Sequence, residues 1–170
     1  MRRPVLDALD LGPDDRLLEI GCGGGMLLRD ALATGCTAVG VDHSDEMVRL
    51  ARETNAEAVA DGRLDVVQAD AARLPFEGAT FTRAAMVVVL LFLPDPGAAL
   101  REIQRVLKPG GRLALFTLPP ELKGHPGAAP EPMASRGRFY TDTELEELAR
   151  GAGLDDVTVT HDQLLVASRS

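Results

Sequence analysis

Tryptophan is absent from this sequence, and one tyrosine and five phenylalanines hold the aromatics to 4%. Stacking of bases on aromatic platforms is therefore not its main business. Basic residues are also in short supply: 18 Lys and Arg face 26 Asp and Glu, a net charge of −8. That balance argues against a nucleic-acid surface or an anionic membrane surface. Cysteine occurs twice, as Cys22 and Cys36, with no CxxC pair and no histidine cluster to complete a metal site. A reducing, cytoplasmic setting and no metal are the expectation. Long apolar runs are missing too. The longest, Ala84 to Leu93, has ten residues and is too short to span a bilayer. The Arg2-Arg3 pair is followed by no apolar signal-peptide region.

What is present is a chain of 170 residues, 45% hydrophobic and 26% charged, in the range of one globular domain. Its organising stretch is Leu17-Leu18-Glu19-Ile20-Gly21-Cys22-Gly23-Gly24-Gly25. An apolar run that opens into glycines reads as a buried strand and a tight turn, followed by a helix from Met26 to Ala33. Glycines there let a ligand approach main-chain N–H groups without a Cβ in the way. An ordinary glycine-rich turn is the competing reading.

Further strands are expected over 37–42, 64–69, 81–89 and 112–118, and a closing hairpin over 154–160 and 163–168 with its turn at His161-Asp162. Helices are expected from Pro4 to Leu9, after the cap Ser44, after Asp95-Pro96, and after the capping box Thr141 to Glu144. Strand and helix alternate, and one hairpin strand must run antiparallel. The fold class is therefore α/β, Rossmann-like and doubly wound, with helices on both faces. One domain is expected: a short N-terminal helix (1–12), a core (13–118), a lid-like proline-rich loop (119–138), and a C-terminal helix and hairpin (139–170). Ligands in such sheets bind beyond the carboxyl ends of the strands, where strand order reverses. Asp42 ends strand two, where a carboxylate takes ribose hydroxyls. Gly-x-Gly-x-Gly places Met26 where a dinucleotide fingerprint wants its last glycine, which disfavours a pyrophosphate loop.

Four blocks in order carry a resemblance: Leu18 to Gly25, Val39-Gly40-Val41-Asp42, Gln68 to Phe76, and Leu93-Pro94-Asp95-Pro96 through Val106 to Leu113. They resemble the class I S-adenosylmethionine-dependent methyltransferases, of the small methyltransferase-domain type that includes quinone-biosynthesis enzymes. The resemblance implies a seven-stranded sheet with one strand reversed, the cofactor S-adenosylmethionine, and the product S-adenosylhomocysteine. It implies a methyltransferase of the EC 2.1.1 class acting on a small-molecule acceptor; the charge balance and the short apolar runs add the expectation of no nucleic acid and no membrane span. It also implies roles. Glu19 would hold the methionine ammonium. Gly21 and Gly23, with Cys22 and Gly25 in the same loop, would bring backbone to the methionine and ribose. Asp42 would take the ribose hydroxyls. His43 and Met47 would pack on the adenine, Asp70 and Ala71 would bond its edge, and Met86 would sit near the methionine.

Three departures from the family pattern stand out. Thr82-Arg83 follow Phe81 where an acid is common. Leu90-Leu91-Phe92 replace a segment that often carries histidine. Only 20 residues precede Gly21. This leaves an open acceptor side, completion by a second copy in a homodimer, or closure by the 119–138 loop. No catalytic base is assigned; His125, His161, Arg138 and Tyr140 are the candidates to touch substrate. The alternatives are a non-catalytic binding module of the same fold and a nicotinamide-dependent oxidoreductase.

Overall fold

The structure is a computed structural model that describes residues 2–123, 136–160 and 163–170. Seven strands form one sheet: β1 (Arg16–Ile20), β2 (Thr37–Asp42), β3 (Leu64–Gln68), β4 (Phe81–Val87), β5 (Leu107–Phe116), β6 (Asp155–Val159) and β7 (Leu164–Ser168). Their order is β3-β2-β1-β4-β5-β7-β6. The first five strands pair in parallel, and β7 runs antiparallel to both β5 and β6. This is the expected doubly wound sheet with one reversed strand.

Side chains alternate along the strands, and those of the central β1, β2 and β4 bury on both faces. Leu17, Ala38, Val66 and Ala85 pack under α1 (Arg2–Leu9), α2 (Met26–Leu32) and α3 (Asp45–Thr54). Leu18, Val39, Ala84, Met86 and Leu113 pack under α5 (Pro96–Val106) and α6 (Asp142–Gly151). Helices cover both faces of the sheet centre, so β1, β2 and β4 carry apolar residues on both sides.

Local signals fix several boundaries. The Ser44 hydroxyl accepts from Met47 N–H and starts α3. Asp95 accepts from Ala98 N–H, with Pro96 at the first position of α5. Thr141 and Glu144 form the reciprocal capping box that starts α6.

Four expectations are corrected. The first helix begins at Arg2, so Pro4 is its third residue. A short helix, α4 (Ala56–Ala60), follows α3 and was not anticipated. No helix joins β3 to β4, where residues 69–80 run as turns and irregular chain. Strand β5 begins at Leu107, not at Arg112. Phe81 pairs with Leu107 and Arg83 with Arg112, so Lys108 to Gly111 bulge out inside the strand. Arg169 holds that bulge, accepting from Gly110 N–H at 2.6 Å and donating to the Gly111 carbonyl at 2.9 Å.

The departure at Thr82-Arg83 has a structural use. The Thr82 hydroxyl donates to Asp15 at 2.7 Å, and Arg83 pairs with Asp15 at 3.2 Å. Both tie the entry of β1 to β4 at the end of the sheet away from the glycine loop.

Candidate functional site

Strands β1 and β4 are neighbours, but the chain leaves them toward opposite faces, β1 into α2 and β4 toward α5. A cleft opens where the two exits diverge. A cavity of about 580 Å³ lies there, within the roughly 300–1,000 Å³ of small-molecule sites. One side is built by Gly21, Asp42, His43, Asp70 and Ala71, and the other by Val87, Val88, Val89, Phe92, Leu93 and Pro94. The first side is polar and the second is an apolar wall.

Asp42 ends β2 and is almost fully buried. Its Oδ2 accepts from Gly23 N–H at 2.9 Å and its Oδ1 from Ser44 N–H at 3.0 Å. His43 Nδ1 stands 3.3 Å from the same Oδ1, with its ring out in solvent. A carboxylate offers about four acceptor positions, so Asp42 is fixed in place with capacity left toward the cavity. On the adjoining strand end, Asp70 closes a turn, its carboxylate accepting from Ala72 N–H at 2.9 Å and its carbonyl from Arg73 N–H at 2.9 Å. The Gln68 amide donates to the His43 carbonyl at 2.9 Å and holds the ends of β2 and β3 together.

Beneath the glycine loop, Glu19 is 3% exposed and its Oε2 has no hydrogen-bond partner. Burial holds its carboxyl well above the ordinary glutamate range, and the nearby Asp42 charge adds to this. Burial likewise pushes the Cys22 thiol up to about 12, so it stays protonated near neutrality. Gly21 has φ +68°, and a Cβ there would lie 2.2 Å from a Val89 methyl. Gly23 has φ +49° and faces open space, with nothing within 4 Å of such a Cβ.

Five of the expected residues line the cavity: Gly21, Asp42, His43, Asp70 and Ala71. Gly23 joins them through its bond to Asp42. Glu19, Cys22 and Gly25 are buried around the loop, while Met47 is half-buried on α3 outside the cavity lining. Met86 is fully buried in the core beneath α5 and does not line the cavity. Tyr140 is fully buried and carries the Arg138 guanidinium 5.1 Å above its ring centre, and neither lines the cavity. Burial also raises the Tyr140 hydroxyl above its ordinary range. His125 and His161 lie outside the described residues. Of the segment Leu90-Leu91-Phe92, expected to make an apolar wall in place of a histidine, Phe92 lines the cavity, while Val87 to Val89, Leu93 and Pro94 join it without having been marked as lining. Among the described residues, no group of three or more His, Cys, Asp or Glu could hold a metal. No helix among them is long and apolar enough to cross a membrane.

A parallel sheet reversed at β7, with acids ending β2 and following β3 around a cleft at its switch point, defines a Rossmann-like α/β fold. The family model described as methyltransferase domain matches residues 18–115. The chain belongs to that family, among the class I S-adenosylmethionine-dependent methyltransferases. It is 39% identical over 119 residues to the 27-O-demethylrifamycin SV methyltransferase of Amycolatopsis mediterranei, a match covering 68% of this chain and 44% of that one. It is 35% identical over 105 residues to a ubiquinone biosynthesis O-methyltransferase of Xanthomonas oryzae, covering 61% and 43%. The chain thus spans less than half the length of these curated relatives. Among solved structures, a chain of the Haloferax volcanii complex containing the Trm112 methyltransferase activator superposes with a TM-score of 0.82 at 24% identity, over 98% of this chain and 87% of that one. The cyclase SpnF superposes with a TM-score of 0.79 at 31% identity, over 92% and 57%.

Proposed function

We propose that this chain binds S-adenosylmethionine in the switch-point cavity and transfers its methyl group to a small-molecule acceptor. The observation that carries the reading is Asp42, a carboxylate held by Gly23 and Ser44 N–H groups at the cavity edge. The residues present fit the cofactor. Glu19 is a buried acceptor with one oxygen unpartnered, as a site for an ammonium group requires. Gly23 leaves open space where any other residue would put a side chain.

In this reading Asp42 accepts hydrogen bonds from both ribose hydroxyls, and His43 covers the sugar and base from the solvent side. Asp70 and Ala71 meet the polar edge of the adenine. Glu19 takes the methionine ammonium, by side chain or through water, and Gly21 and Gly23 bring the main chain alongside. S-adenosylmethionine supplies a methyl group already activated on a sulfonium, with S-adenosylhomocysteine as the product. The protein's task is then orientation and exclusion of water, which supply much of the rate. The wall of Val87 to Val89, Phe92, Leu93 and Pro94 favours an acceptor with an apolar body.

Calorimetric titration with S-adenosylhomocysteine, with NADH as control, tests the reading. Micromolar binding of the first alone is expected; binding of NADH alone overturns it in favour of an oxidoreductase. A second reading, a cofactor-binding fold put to a use other than methyl transfer, is favoured by the likeness to a protein named as a cyclase. Turnover of S-adenosylmethionine with any acceptor dismisses it.

A further inference from the structure

Val88 lies one residue beyond β4, in the lining of the cavity, and its φ is +57°. A β-branched residue in the left-handed region is a true conformational outlier. Asp10, Ala79, Asp156 and Gln163 are the other non-glycine residues with positive φ among those described. None of them is β-branched, and none lines this cavity. The strained turn is held from behind, where Val88 N–H donates to the Phe116 carbonyl of β5 at 2.8 Å. Its outcome lies one residue on: the Val89 methyls rest against Gly21, 2.2 Å from where a Cβ would be. The apolar wall and the glycine loop therefore meet directly across the cleft.

We infer that Val88 is a positioning residue, whose left-handed backbone turns the chain after β4 so that Val89 closes on Gly21 and fixes the cavity wall before ligand arrives. The inference rests on the proposed cofactor reading. Strain of this kind persists only where the surrounding structure enforces it, and it gathers at binding sites because it pre-organises them. A fold indifferent to this wall would be better served by glycine at position 88.

The test pairs thermal unfolding with calorimetric binding of S-adenosylhomocysteine in the wild type, V88G and V88A. V88G removes the strain, so its Tm rises by about 2–4 °C. It also frees the wall, so its Kd rises by about three- to tenfold. V88A loses the same methyls but keeps a side chain unsuited to positive φ. Its Tm does not rise, and its Kd stays closer to wild type. The opposite movement of stability and affinity in V88G separates positioning from a purely structural role. Equal affinity of V88G and wild type overturns the inference, as does equal loss in V88G and V88A, which assigns the effect to side-chain contact. A V88G chain that is less stable, or does not fold, overturns it as well. A wild-type chain that binds no S-adenosylhomocysteine overturns the cofactor reading, and this inference with it.

Discussion

The side-chain amide of Asn55 donates to the Gly25 carbonyl at 3.0 Å and to the Ala51 carbonyl at 2.9 Å. Asn55 is buried, so this one group ties the end of the glycine loop to the last turn of α3. Asn55→Ala removes both bonds, while Arg29 N–H stays on the Gly25 carbonyl and the residue-55 N–H on the Ala51 carbonyl. It is expected to lower stability by about 1–2 kcal/mol, measured by urea unfolding. An unchanged midpoint would show that these backbone bonds hold the loop to α3 without the amide.

Asp42→Ala removes the acceptor that Gly23 and Ser44 N–H groups share, along with the proposed ribose contact. Affinity for S-adenosylhomocysteine is expected to fall by about 1–3 kcal/mol, from lost charge-assisted bonds. Calorimetry on the folded variant checks this, and wild-type affinity would refute the ribose assignment.

Glu19 makes a pH-dependent prediction. The unfolded chain gives up this proton near the ordinary value of 4.5, while the folded chain keeps it to a higher pH. The folded state thus binds more protons inside that window, and stability falls as pH rises through it. The contribution is present in full below 4.5 and lost by the raised folded value. Glu19→Gln cannot ionise, so the wild type loses stability relative to it as pH climbs from about 4.5. A cationic ammonium beside Glu19 would draw the proton off. Binding of S-adenosylhomocysteine in the lower part of the window should therefore release a proton, seen as a binding enthalpy that varies with the buffer's ionisation enthalpy. The same enthalpy in all buffers would remove Glu19 from the ammonium site.

Gly21 and Gly23 separate fold from ligand. Gly21→Ala drives a methyl into Val89 and is expected to cost about 1–3 kcal/mol of stability. Gly23→Ala meets no neighbour and carries only its backbone penalty, about 1–2 kcal/mol. Its methyl enters the space left to the cofactor, so its Kd for S-adenosylhomocysteine should rise tenfold or more, by about 1.4 kcal/mol at least. Equal affinity in Gly23→Ala and wild type would place the ligand elsewhere.

Much of the fold is legible because its signals are local. Ser44, Asp95-Pro96 and the Thr141–Glu144 box each start a helix within a few residues of themselves. β1 and β2 end as expected because Glu19-Ile20-Gly21 and Val41-Asp42-His43 pass from apolar to glycine or polar over a single bond. What was missed depends on distant partners. The Pro109-Gly110-Gly111 signal reads as a stop, but pairing with β4 and the Arg169 bonds keep it within β5. Met86 shares the phase of Ala84 and is carried into the core, while the turn at Val88 hands the wall to the residues after it. Asn55 meets Gly25 across 30 positions, and no pattern near either residue announces that bond.

The two sides of the cavity come from separate lengths of chain, the polar side from residues 21–71 and the apolar wall from residues 87–94. They meet only because β4 inserts beside β1. In the proposed reading, the contacts to the ribose and adenine and most of the acceptor wall are thus carried by different lengths of the chain. On that reading, exchange of Phe92, Leu93 and Pro94 for the residues of a relative would alter what the cleft admits, while Val88 and Val89 stay to keep the wall closed on Gly21.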